Sequence, residues 1–248
     1  MWFIIVISLV FLDAKLKLLS TLTLWLFILC IPILLLSASV GWTTNSLWMY
    51  KYGSHKYHVV QSLAESGLHL ADIELEQVYS ELTDYFNSDK QNIRLTVIKA
   101  GKPFDLFTPE EVMHFRDVKG LVRLDYWLFL GTLTYILAYA GGTLIWRHKL
   151  SLRRLAWAGV AGVGVTLALI VAVGLGSLVG FSQLFWQFHL LFFNNVHWAA
   201  KGYMLMIFPL GFFYFASLVC VSIFAGLALI VAGVSGGYLV LTRNNNNT

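Results

Sequence analysis

Four long apolar runs dominate the chain, and more polar segments separate them. They cover residues 18–42, 121–146, 155–179 and 212–241. An α-helix needs roughly 20 apolar residues to cross the hydrocarbon core of a bilayer, and each run is long enough. The stretch 1–12 is too short to span, and it predicts an interfacial helix or an extended start, with a signal peptide as the weaker alternative. The pattern therefore predicts an all-α polytopic membrane protein with four transmembrane helices.

The composition agrees with this class, because 58% of the residues are hydrophobic and only 12% are charged. Such a balance excludes a water-soluble domain. The net charge of +4 comes mostly from basic residues beside the apolar runs. These are Lys15, Lys17, Arg147, Lys149, Arg153, Arg154 and Arg243. The charge is therefore explained by membrane topology and gives no indication of nucleic-acid binding.

The basic residues also predict the orientation of the chain. Basic flanks of membrane spans stay in the cytoplasm, so segments 43–120 and 180–211 are predicted to be extracytoplasmic. The predicted organisation is an N-terminal interfacial or cytoplasmic segment (1–17), a first span (18–42), an extracytoplasmic domain (43–120), a second span (121–146), a cytoplasmic loop (147–154), a third span (155–179), an extracytoplasmic or re-entrant aromatic segment (180–211), a fourth span (212–241) and a cytoplasmic tail (242–248).

The first outer segment, 43–120, predicts a small α+β domain between spans one and two. Apolar residues recur at helical spacing over 71–86, with acidic residues on the other face, which indicates an amphipathic helix. Ile93, Leu95 and Val97 then alternate with polar residues, which predicts a short strand. A strand needs a partner, and 57–63 is the segment we expect to pair with it.

A second helix start follows at Thr108, where Pro109 takes the first helical position and Glu111 completes a Thr-x-x-Glu capping box. Gly120 is expected to end this helix. Three acidic residues share a face with His114, at spacings of three or four residues: Glu110, Glu111 and Asp117. A carboxylate there could hold one ring nitrogen and leave the other free as a base.

Two simpler interpretations of this helix stay open. His114 and Asp117 could only stabilise an exposed helical turn, because such pairs are common and individually weak. Arg116 and Lys119 could bind a lipid headgroup, or they could only mark a membrane-surface helix whose long side chains reach the polar interface.

The second histidine segment, 181–198, is dense in aromatic residues, as expected at headgroup level. His189, Asn194, Asn195 and His197 lie within it. Polar groups at membrane depth are costly, and this cost favours a functional role for His189. For Asn194 and His197, the alternative that they cap the third span and contact water at the interface stays open.

Other kinds of chemistry have no support in the sequence. It has no His-Glu-x-x-His or paired Cys/His spacing for zinc, and no Gly-x-Ser-x-Gly nucleophile motif. We therefore predict no metal and no cofactor. An enzyme of this kind would lack an obvious nucleophile of its own.

Three motifs together resemble the bacterial lipoprotein intramolecular transacylases, the Lit family. They are Phe107-Thr-x-x-Glu-x-x-His114-x-x-Asp117-Val118-Lys119, Phe188-His189-x-x-Phe-Phe193-x-Asn195-x-x-Trp198 and Pro209-x-x-Phe212-Phe213. The resemblance implies an acyltransferase of the bacterial cell membrane, acting at its extracytoplasmic side. It would move the sn-2 acyl chain of a diacylglyceryl-cysteine to the α-amine of that cysteine and give a lyso-form lipoprotein.

The resemblance also implies roles for individual residues. The catalytic residues would be His114 and His189. The supporting or substrate-binding residues would be Glu111, Arg116, Asp117, Lys119, Asn195, His197 and Trp198. The partners would be the lipoprotein substrate and membrane lipids. The alternatives are a membrane lipid hydrolase that uses water as acceptor, and a non-catalytic envelope protein whose outer domain binds a partner.

The predicted orientation can be tested by labelling. We expect a cysteine introduced at Asn87 to react with a membrane-impermeant thiol reagent in intact cells, and a cysteine at Leu150 to react only after the membrane is opened. The opposite pattern would place segment 43–120 in the cytoplasm.

Overall fold

The computed structural model describes residues 2–146, 150–177 and 180–244. The predicted features Arg147, Lys149 and the tail 245–248 lie outside these ranges, as do the last two residues of the predicted third span. The elements are α1 (Trp2–Asn45), α2 (Leu47–Lys56), α3 (Val59–Glu65), α4 (Asp72–Phe86), β1 (Thr96–Lys99), β2 (Lys102–Asp105), α5 (Pro109–Trp146), α6 (Leu150–Ser177), α7 (Phe181–Phe192), a 3₁₀ turn (His197–Ala199), α8 (Met204–Ile207) and α9 (Leu210–Asn244).

Four of these helices are long and apolar enough to cross a membrane, which confirms the predicted number of spans. The candidate spans are Ala14–Asn45, Pro109–Ile145, Leu152–Gly176 and Leu210–Arg243. The first helix already includes 2–12, so the alternative of an extended start is wrong. Its apolar residues and the charged residues 13–17 join one continuous helix, because neither stretch contains a helix-breaking residue.

The predicted end of a helix at Gly120 is also wrong, because α5 continues through this residue to Trp146. A glycine inside a helix costs only about 1 kcal/mol relative to alanine. The apolar sequence that follows has to satisfy its backbone hydrogen bonds internally if it enters lipid, and a continuous helix does so.

The chain forms two compact units. The first consists of Met1–Leu36, Leu128–Ile170 and Ala225–Thr248. Within this unit, glycines on α6 allow side chains of neighbouring helices to approach closely: Ile31 of α1 lies against Gly162, and Ser235 of α9 lies against Gly159. This is the role predicted for small residues between membrane helices. Gly164, two residues further along the helix, has open space beside it.

The second unit consists of Ser37–Trp127 and Val171–Phe224. Its hydrophobic core includes Leu63, Leu75, Tyr79, Leu106 and Ile207, all almost completely buried. Leu75 and Tyr79 lie on α4, whose observed bounds confirm the amphipathic helix predicted over 71–86. The segment between the first two spans is therefore a packed domain that shares its core with the chain that follows α7.

A two-stranded antiparallel hairpin completes the second unit, with Thr96 opposite Asp105 and Lys99 opposite Lys102. The predicted pairing with 57–63 is wrong, because most of that segment lies in α3. The physical reason is the turn Ala100-Gly101. Both of its residues have positive φ angles, 50° and 76°, which suits a tight turn and lets β1 pair with the chain directly after it.

Two neighbouring glycines of α6 give a matched test of the helix packing. We expect Gly162→Ala to lower the melting temperature of the purified protein, because an added Cβ would lie only 2.9 Å from Cβ of Ile31. Gly164→Ala should leave it unchanged or raise it, because alanine favours the helix by about 1 kcal/mol. Equal melting temperatures for the two variants would contradict this close approach.

Candidate active site

The start of α5 fixes the position of His114. The backbone N–H of Thr108 donates to Oε2 of Glu111 at 2.9 Å, and the backbone N–H of Glu111 donates to Oγ1 of Thr108 at 3.3 Å. This confirms the predicted capping box and defines the first turn of the helix. His114 follows three residues after Glu111 and is buried, with only 7% of its surface exposed.

His189 is held by the helix on which it lies. Nδ1 of His189 donates a hydrogen bond of 2.7 Å to the carbonyl oxygen of Phe185, one turn earlier on α7. A carbonyl oxygen can only accept, so the neutral ring carries its proton on Nδ1 and has a free lone pair on Nε2. Burial lowers the pKa of His189, although the hydrogen bond to Phe185 opposes this shift. The net effect favours the neutral form of the ring.

The fold brings the two predicted histidines together. The ring centroids of His114 and His189 lie 5.9 Å apart. Phe193 packs against both rings, edge-on to His114 at 5.0 Å and tilted to His189 at 5.4 Å. Nδ1 of His114 is buried and has no hydrogen-bond partner among the described residues. In this pair, Nδ1 of His114 is desolvated and has no partner among the described residues. The free nitrogen of His189 is oriented by the backbone.

His114 and His189 both line an apolar cavity of about 450 Å³. Small-molecule sites have roughly this size, and they combine apolar walls with a few convergent polar groups. The residues that line it are Val40, Thr43, Thr44, Met49, Tyr50, Leu82, Phe86, His114, Phe115, Val118, Leu121, Val122, Phe181, Leu184, Phe185, Phe188, His189, Phe193, Met204, Phe208, Phe212, Phe213, Ala216 and Ser217. These apolar walls suit a hydrocarbon chain.

Glu111 has a different partner from the one expected. Its carboxylate is fully buried and accepts hydrogen bonds from the backbone N–H groups of Thr108, Gly202 and Met204, the last at 2.8 Å. A side chain at position 202 would overlap this carboxylate, so the close approach requires glycine. Glu111 therefore fastens the chain that follows the second histidine segment to the helix that carries His114.

Asp117 forms its hydrogen bond with the second histidine segment and not with the imidazole of His114. Nδ2 of Asn195 donates to Oδ2 of Asp117 at 2.8 Å, and the oxygens of Asn195 accept from the backbone N–H of His197 and from Nε1 of Trp198. The ring of Trp198 then packs against His189 with centroids 4.9 Å apart. The expected hydrogen bond between His114 and a carboxylate does not occur among the described residues.

The two basic residues of α5 that were predicted to support the site differ in their surroundings. Lys119 is 3% exposed, donates to the carbonyl oxygen of Lys90 at 2.7 Å and lies over the ring of Tyr85. The ammonium group of Lys119 is thus bound by groups of the domain itself. Arg116 is exposed.

Sequence reasoning missed one further contact of this region. Nζ of Lys99 on the hairpin donates to the phenol oxygen of Tyr203 at 2.7 Å, so the hairpin braces the chain after His197. The two residues are far apart in sequence, and neither belongs to a recognisable motif. In the described part of the chain, no group of three or more His, Cys, Asp or Glu side chains is placed to hold a metal ion.

Comparison with known proteins gives an independent result. The family model of the lipoprotein intramolecular transacylase Lit matches residues 25–213. No curated protein sequence matches the chain significantly. The structure is similar to that of the membrane integral lipoprotein intramolecular transacylase Lit from Bacillus cereus, with a TM-score of 0.72, 14% identity, and coverage of 94% of this chain and 100% of the other. A variant of that protein with one histidine replaced by arginine gives a TM-score of 0.71 at 15% identity, over 94% of this chain and 97% of the other.

The four spans and these similarities define the chain as a multi-pass membrane acyltransferase. It belongs to the Lit family of lipoprotein intramolecular transacylases, because the family model matches well over half of its 248 residues. The resemblance seen in the sequence motifs is thereby confirmed.

The role of Glu111 can be tested against its exposed neighbour Glu110. We expect Glu111→Ala to lower the melting temperature clearly, because it leaves buried backbone N–H groups without an acceptor, at a cost of about 1–3 kcal/mol each. Glu110→Ala should have little effect. A thermal scan of both purified variants checks this, and equal melting temperatures would contradict the fastening role of Glu111.

Proposed function

We propose that the protein transfers the sn-2 acyl chain of a diacylglyceryl-modified N-terminal cysteine to the α-amine of that cysteine, and that His114 and His189 move the protons. One observation carries the proposal. Two buried imidazoles lie together in the lining of an apolar cavity, and one of them has a free nitrogen oriented by the backbone. The family membership supports the reaction class.

The proposed reaction needs no nucleophile from the protein. The neutral α-amine attacks the ester carbonyl, a C–N bond forms, and the C–O bond to the glyceryl oxygen breaks. One imidazole takes the proton that the amine loses, and a proton returns to the departing glyceryl oxygen. Two positively charged rings at this separation in an apolar site would repel strongly, so the pair is expected to hold one proton at a time.

The surroundings of the pair favour amine over water as the acceptor. The acyl chain and the amine belong to one molecule, so binding the chain in the cavity brings the two reacting groups together. The aromatic walls, among them Phe185 and Phe193, limit access of water to the ester. Asn195 and Trp198 keep this wall in place through the network with Asp117.

The proposed site faces the extracytoplasmic side of a bacterial cell membrane. This is supported by the basic residues Arg153, Arg154 and Arg243, because basic flanks of membrane spans stay in the cytoplasm. A lipoprotein exposes its modified N-terminus on that side. The exposed Arg116 remains a predicted contact to a lipid headgroup.

The histidine roles are tested by substitution. We expect His114→Ala and His189→Ala each to lower the rate of lyso-lipoprotein formation by about 10²–10⁴-fold, the usual contribution of acid–base catalysis. The double variant should be little worse than either single variant, because groups that act as a unit are not additive. Mass spectrometry of the lipopeptide product measures the rate.

Three exposed histidines of the outer domain provide the controls: His55, His58 and His69. Their alanine variants should keep most of the activity. The melting temperature of every variant shows whether a loss of activity reflects unfolding. Equal activity in all five single variants would contradict a chemical role for any histidine.

A further inference from the structure

The carboxylate of Asp117 is only partly used by the fold. The side chain is half-buried, and its Oδ2 accepts the hydrogen bond from Asn195 at 2.8 Å. Among the described residues, Oδ1 of Asp117 has no hydrogen-bond partner, and no lysine or arginine forms an ion pair with this carboxylate. Charged groups that are partly removed from water are normally paired. One oxygen and the negative charge of Asp117 are therefore available to a cation from outside the chain.

Asp117 lies beside the histidine pair. It follows His114 by three residues on α5, and side chains at this spacing are neighbours, with Cβ atoms about 5–6 Å apart. The charge of Asp117 also acts on the imidazole of His114. The next residue, Val118, lines the apolar cavity, whereas Asp117 does not. The carboxylate is thus next to the reacting groups but outside the apolar walls.

Glu111 is the other half of a comparison that singles out Asp117. Both carboxylates lie three residues from His114 on α5, one on each side along the chain. The carboxylate of Glu111 is fully buried and already accepts backbone hydrogen bonds from Thr108, Gly202 and Met204. Of these two neighbours of His114, only Asp117 can therefore receive a further donor.

The proposed substrate brings a cation to this place. A free α-amine has a pKa of about 7.7–8.0, so it is mostly an ammonium group at neutral pH. An ammonium that enters an apolar site without a partner is strongly disfavoured. A carboxylate at the edge of the site would remove this penalty and hold the amine close to the imidazoles.

We propose that Asp117 binds the α-ammonium group of the substrate's N-terminal cysteine through Oδ1, while Oδ2 stays bonded to Asn195. The inference rests on the proposed function, because that ammonium has to reach His114 and His189. Asp117 thereby joins two tasks, since one oxygen holds the second histidine segment and the other holds the substrate.

The protons balance with this role. The bound ammonium gives one proton to an imidazole of the pair, and the neutral amine that remains attacks the ester carbonyl. As the C–N bond forms and the C–O bond breaks, a second amine proton reaches the glyceryl oxygen, and the third stays on the amide nitrogen. The first proton leaves the imidazole for water. Asp117 remains a carboxylate throughout and is a binding residue.

The experiment measures binding to the purified full-length protein at pH 7 with two lipopeptides that cannot react, because both of their chains are attached by ether bonds. One begins with cysteine and has the α-amine. The other begins with a 3-mercaptopropionyl group and lacks only that amine. We expect the unaltered protein to bind the first about 10–100-fold more tightly, as for one hydrogen bond to a charged group.

Three variants locate this preference. Asp117→Asn keeps the shape and an oxygen for Asn195 but removes the charge, so it should lower the affinity for the amine lipopeptide to that for the other one, whose own affinity should not change. Asp117→Glu keeps the charge and should keep a preference for the amine, which preserves the test if the asparagine variant does not fold. Glu110→Gln is the matched control, because it removes an exposed negative charge from the same helix, and both affinities should stay the same.

Three results would overturn the inference. They are equal affinities of the unaltered protein for the two lipopeptides, a preference for the amine that survives in folded Asp117→Asn, and an equal loss of both affinities in that variant, which would mean that Asp117 only holds Asn195. Turnover of an ester-linked lipopeptide tests the proposed function separately, and that function fails if the unaltered protein forms no N-acylated product.

Discussion

The buried carboxylate of Glu111 is the interaction on which the candidate site depends. It closes the capping box at the start of α5 and accepts backbone hydrogen bonds from Gly202 and Met204, more than ninety positions away along the chain. These hydrogen bonds fix the helix that carries His114 relative to the chain that follows His189. Asp117 adds a second tie through Asn195, and Lys99 a third through Tyr203. The polar residues near the histidines thus hold the neighbouring segments of chain and do not bond to the imidazole rings.

Burial is what makes these imidazoles unusual. An exposed histidine is part charged near neutral pH, but an apolar surrounding disfavours the charged form. In His189 the pKa is lowered by this effect, which favours the neutral ring with a lone pair on its free nitrogen. The same apolar surrounding continues as the cavity and suits a fatty acyl chain. The proposed function uses one property of the site, the exclusion of water, for acid–base chemistry, chain binding and the choice of acceptor.

Much of the fold could be predicted from the sequence, because its strongest signals are local. The four spans, the helix α4 and the start of α5 at Thr108 follow from apolar runs, periodicity and capping chemistry. The predictions were wrong where the structure of a segment depends on an adjoining or a distant part of the chain. Gly120 lies inside a helix that the adjoining span continues, and β1 pairs across the tight turn at Ala100 and not with the distant segment 57–63. Residue type and setting singled out the two histidines, which the fold brings together. The partners of Glu111 and Asp117 could not be predicted, because they are backbone and amide groups in a distant segment.

The central claim is that the substrate's own amine accepts the acyl chain at the histidine pair. The most direct measurement compares a diacylglyceryl lipopeptide that has a free α-amine with the same lipopeptide after its amine has been acylated, and follows both the products and the release of free fatty acid. The account predicts an N-acylated lyso-lipopeptide from the first and no turnover of the second. Loss of the sn-2 chain from the blocked lipopeptide at a comparable rate would mean that water is the acceptor, and it would contradict the account.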